Sequence, residues 1–202
     1  MRLFPARLIS WVFHPLLTPL FACILVFLSG HYLRYIDSAL IFSILLIFFT
    51  ITFALPALVI PLLYYQQLIK DLNMPERKSR PVVYLSTLIL YATSSFLMYR
   101  FEFPDLLEKL MLSYTILLAL LTVLSLFYKA SAHTAAVGSL AGLLLFLSIY
   151  YNMDLRLTFS GLILIAGLSG SARIALRYDN LQQVSAGFLF GFAGMPLLLW
   201  IF

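Results

Sequence analysis

Three polar clusters interrupt an otherwise apolar chain, and they hold the residues best suited to chemistry. They are RKSRP at 77–81, KASAH at 129–133, and SGSARIALRYDNLQQVSAGFLFG at 169–191. Arg80, Lys129, Arg173 and Arg177 supply cations, and arginine's planar fork fits the oxygens of a phosphate. Ser131 and His133 stand where a helix is expected to start. There they add a hydroxyl, an imidazole and unpaired backbone N–H groups, at the end of the helix dipole that favours an anion. Brought together, these groups would form an oxyanion pocket at a membrane surface.

The elements that must position them are membrane spans. Of 202 residues, 63% are apolar and 10% are charged, which excludes a water-soluble domain and leaves the bilayer as the solvent. Crossing a bilayer core takes roughly 20 helical residues. Seven apolar runs meet that length, at about 8–28, 39–67, 82–99, 107–127, 133–151, 155–177 and 180–202. The expected fold is therefore all-α, a polytopic transmembrane bundle of about seven spans forming one integral membrane domain over 1–202. The opening residues are read as a retained first span, interrupted by His14, Pro15 and Pro19, because no small-x-small cleavage site follows the basic start. His14 is read as a kink-associated polar contact with another span. Pro56 and Pro61 should kink or tilt the second span. The polar stretch after it is expected to be an interfacial loop with a helical turn.

The connections HYLRYIDS, RFEFPD and NMD are short, so the spans they join should be antiparallel neighbours. Tyrosines such as Tyr32, Tyr35, Tyr64, Tyr65, Tyr150 and Tyr151 gather at run ends, as aromatic belts do. Gly138 with Gly142, and Gly187 with Gly191, have the spacing that lets helix backbones approach closely. With seven crossings, all three polar clusters fall on the side of the N-terminus. That side carries nine Lys and Arg against four opposite, which the positive-inside rule would place in the cytoplasm. Setting aside Arg80, Lys129 and Arg173 as anion ligands leaves six against four. The net charge of +5 sits at span ends rather than in a soluble basic stripe, which argues against nucleic acid. The one cysteine, Cys23, allows no internal disulfide. Neither a metal-ligand spacing nor a Gly-rich nucleotide loop is present, and no cofactor is expected.

The three clusters resemble, in order, the motifs of the type 2 phosphatidic acid phosphatase superfamily, whose fold is shared with vanadium haloperoxidases. Arg80-Pro81 is similar to the end of K-x6-R-P, Ala130-Ser131-Ala132-His133 to P-S-G-H, and Ala172-Arg173 with Asp179 to S-R-x5-H-x3-D. The likeness covers about 73–191, a phosphatase-like core for which six spans would suffice. HPLLTP, KASAH and QQVSAGFLFGF resemble a divergent set of small bacterial membrane proteins grouped with it. The resemblance implies a bacterial inner membrane and a phospholipid or polyprenyl phosphate as ligand. Arg80, Lys129, Ser131 and Arg173 would hold its phosphate, with Lys70, Arg177 and Gln183 in secondary places.

The chain departs from the family at the catalytic pair. Asn73 stands in place of the motif's lysine, with Lys70 one helical turn earlier. Asp179 stands where the family has its nucleophilic histidine, and Gln183 replaces the aspartate that orients it. Loss of both resembles retirement of the catalytic pair. Restoring them, Asp179→His with Gln183→Asp, would then raise hydrolysis. Three functions follow: a binder of phosphorylated lipid with weak or lost hydrolysis (a pseudoenzyme), an active phosphatase in which Asp179 or His133 attacks, or a non-catalytic scaffold for another membrane protein or a second copy. The bland reading of Asp179 is that it caps the last span and pairs with Arg177 or Arg173.

Overall fold

Proline placement and apolar length together determine the helices. A computed structural model describes residues 4–30, 32–68 and 80–202, with the Arg80 side chain outside that description. Lys70, Asn73, Arg77 and the expected interfacial turn around them also lie outside it. The first span is broken in the middle. Helix α1, Phe4–Val12, ends before His14, whose backbone is extended (φ −68°, ψ 136°), as the residue preceding a proline must be. A 3₁₀ turn, Pro15–Leu17, then leads into α2, Thr18–Leu28.

The second span is α3, Ser38–Phe49, and α4, Leu55–Tyr65, joined by a π turn over Thr50–Ala54. Pro56 has no N–H for the carbonyl of Thr52 four residues back, and the wider turn accommodates the mismatch. Five further helices follow: α5, Arg80–Arg100; α6, Asp105–Phe127; α7, Ala132–Tyr150; α8, Arg156–Ala175; and α9, Leu181–Ile201. Seven spans are long and apolar enough to cross a membrane, and among the described residues there is no strand. The protein is an all-α polytopic bundle. Phe42, Leu58, Leu164 and Leu189 point outward from it, as lipid-facing side chains do.

Helix α7 is the central element. In its most apolar window 72% is buried within the protein, against 50% for α6, the next highest. It packs most closely on α9, along a seam of glycines. A Cβ at Gly138 would collide with the carbonyl of Phe188, one at Gly187 with that of Ser131, and one at Gly191 with that of Ala135. Each glycine pair permits near contact of the two backbones. The pairs joined by short connections, α2 with α3, α5 with α6 and α7 with α8, pack together as expected, and α1 lies along α8. The exception is α6 and α7. Only residues 128–131 join them, yet their backbones stand apart, and a cavity opens between them.

Candidate functional site

Helix α8 ends in a turn that folds the polar cluster back on itself. Arg177 adopts the left-handed conformation (φ 59°); its N–H donates to the carbonyl of Ile174 (2.9 Å), and the N–H of Tyr178 donates to that of Arg173 (3.1 Å). This is a Schellman cap with arginine in the position glycine usually takes. It returns the next two residues to Arg173. The ring of Tyr178 lies over the guanidinium at 4.7 Å, and Asp179 pairs with its Nε at 2.9 Å.

Asp179 is the hub of this cluster. Its Oδ2 accepts from the hydroxyl of Ser131 (2.8 Å) as well as from Arg173, and Lys129 Nζ lies 3.6 Å from its Oδ1. Lys129 also donates to the carbonyl of Tyr178. Both Arg173 and Asp179 are buried, so each supplies the counter-charge that makes the other tolerable at that depth. Ser131 precedes α7, and its own N–H donates to the carbonyl of Gln183 (3.0 Å). The carboxylate of Asp179 therefore occupies the position against Arg173, Lys129 and Ser131 in which the family resemblance would put a phosphate.

The last span is capped by the next residue instead. Asn180 accepts from the N–H of Gln183, and the side chain of Gln183 accepts from the N–H of Asn180, a reciprocal capping box. Gln183 thus serves the helix start. Arg177 is exposed and forms no ion pair among the described residues. Lys70 and the Arg80 side chain fall outside them.

Arg173 has a second face, on the cavity. This cavity of about 790 Å³ is lined at one end by Arg7, His14, His133 and Arg173, and along the rest mainly by apolar side chains of the first two spans and of α5, α6, α7 and α9. Nε of Arg173 is committed to Asp179, while the four N–H donors on its terminal nitrogens have no hydrogen-bond partner among the described residues. The rings of His14 and His133 meet edge to face, 5.5 Å between centroids. Nδ1 of His14 accepts from the N–H of Leu16 at 3.3 Å, which leaves Nε2 to carry the ring proton. Lys129, Ser131 and Asp179 do not line the cavity; they stand behind Arg173. Among the described residues no three His, Cys, Asp or Glu side chains converge as metal ligands.

Two features of this cavity were not singled out as site chemistry from sequence. His14 contacts another span, as its kink suggests, and the span it meets carries His133. Tyr91, Tyr114 and Ser139 also line the cavity at mid-span. Their signal was present: a tyrosine about ten residues inside an apolar run belongs to no interfacial belt and calls for a polar neighbour. Compared with known protein families, with curated proteins and with solved structures, the chain matches none.

Proposed function

We propose that this protein holds a phosphate-bearing lipid in the membrane and does not hydrolyse it by the phosphatase family's route. The observation that carries the reading is the cavity that ends at His14, His133 and Arg173 and is apolar over most of its length. The terminal N–H groups of Arg173, Nε2–H of His14 and the ring of His133 would receive the phosphate oxygens, with Arg7 at the rim. Apolar walls would receive the upper part of the tails. A volume of about 790 Å³ is within the range of ordinary small-molecule pockets.

Loss of hydrolysis is supported by the position of Asp179. A nucleophile must reach the phosphorus with a free lone pair, whereas this carboxylate is engaged by Ser131 and Arg173 and lies behind the cavity. His133 does line the cavity, so an enzyme would have to use it. On the family resemblance we place the protein in a bacterial inner membrane.

The test is purification in mild detergent followed by native mass spectrometry, titration with phosphatidic acid and with polyprenyl phosphate, and a phosphate-release assay. The wild type should retain phosphorylated lipid. Ala136→Phe, which fills the cavity from α7 one helical turn below His133, should lower retention to background. Phosphate release should stay at background throughout. Release that vanishes in His133→Ala would make the protein a phosphatase, and failure to bind either lipid would leave the scaffold reading.

A further inference from the structure

The cavity has a second polar station, well below the charged end. Tyr91 of α5 and Tyr114 of α6, on helices that pack together, both line the cavity together with Ser139 of α7. Tyr114 and Ser139 satisfy each other. The hydroxyl of Ser139 donates to the carbonyl of Ala136 (2.7 Å) and lies 3.2 Å from the phenol oxygen of Tyr114. Tyr91 is different. It is 4% exposed, and among the described residues its hydroxyl reaches only the carbonyl of Thr52, at 3.5 Å, the outer limit of a hydrogen bond. A buried phenol with so weak a partner is a donor with capacity to spare, and leaving it unmet in an apolar setting costs free energy.

The depth of this station can be set against the headgroup end. Ser139 follows His133 by six residues on α7, which at 1.5 Å per residue is about 9 Å along the helix axis. In a glycerolipid phosphate, the ester carbonyl oxygens lie six or seven bonds from phosphorus, about 8 Å away when extended at ordinary bond lengths. A polyprenyl phosphate has only hydrocarbon at that distance.

We infer that the Tyr91 hydroxyl is a subsite for a lipid ester carbonyl, and that the cavity selects ester-linked glycerolipid phosphates over isoprenoid phosphates. This rests on the phosphate-lipid reading above and narrows it to one ligand class. With the phosphate oxygens on Arg173 and the two histidines, the first carbonyls of the acyl chains come level with Tyr91. The phenol then donates to an ester carbonyl in place of its long contact with the carbonyl of Thr52.

Affinity for the full-length protein in nanodiscs should be measured for diacyl glycerol phosphate, its dialkyl ether analogue, which lacks both carbonyls, a polyprenyl phosphate, and diacylglycerol as the phosphate-free control. One neutral hydrogen bond predicts that diacyl binds about fivefold tighter than dialkyl. Tyr91→Phe should erase that difference by weakening the diacyl ligand alone, while Tyr114→Phe leaves most of it. Equal affinity for diacyl, dialkyl and polyprenyl phosphates, all tighter than diacylglycerol, would overturn the ester subsite and keep the phosphate reading. No preference for any phosphate over diacylglycerol would overturn both. The comparison of diacyl with dialkyl ligand is made on the wild type, so it holds whether or not a variant folds.

Discussion

Arg173 sits between Asp179 on one side and the open cavity on the other, and each side needs it for a different reason. Removing the carboxylate would strand a buried guanidinium. Asp179→Asn should therefore cost about 3 kcal/mol, visible as a lower thermal midpoint in detergent. The same geometry reverses the outcome expected for Asp179→His with Gln183→Asp. A histidine there faces Arg173 and Lys129 in place of their counter-ion, so we expect loss of folded protein rather than a gain of phosphatase. Arg177 tests the turn separately. Because its φ of 59° costs an L-residue about 1 kcal/mol, Arg177→Gly should raise the thermal midpoint and leave lipid retention unchanged. No change, or a fall, would mean that the exposed guanidinium contributes more than the backbone strain.

At the scale of the helices, the glycines fall into two groups with opposite expectations. Gly187→Ala and Gly191→Ala would push a methyl group into the backbone of α7, where nothing can yield, and should abolish the folded bundle or sharply lower its melting temperature. Gly161 and Gly167 on α8 face open space. Alanine there should be neutral or stabilising by up to about 1 kcal/mol, from helix propensity alone. Size-exclusion profiles and melting curves of the four variants separate the groups. The seam itself could be read from sequence, because pairs of small residues four apart have few other uses in a membrane helix. The spans were equally legible, since length and apolarity suffice to define them. The π turn was not: Pro56 signals a disturbance without saying whether the chain will kink or widen. The sequence offered Asp179 a pair with Arg177 or with Arg173, and the second is the one found; spacing along the chain could not choose between them, because the turn responsible uses arginine where glycine would have advertised it.

At the scale of the whole molecule, the convergence of the charged clusters was half legible. Their common end followed from counting crossings, and α7 and α8 do bring Lys129, Ser131 and Arg173 together. That the cluster would supply its own anion, and present only one face of Arg173 to the cavity, depends on distances between helices that no linear pattern encodes. The cavity arises in the same way. Ala132, Ala135 and Ala136 leave space on one side of α7, and α6, although only a four-residue connection away, does not close it.

The enclosure of α7 has a consequence for how the protein is made. Helix α7 leaves the ribosome before α9 exists, so during synthesis the hydroxyl of Thr134, which donates to the carbonyl of Val184, and the bare backbone at Gly138 and Gly142 must wait for partners that arrive later. An insertion intermediate halted after α7 should thus be held by the translocation machinery or degraded, rather than accumulate as a stable partial bundle.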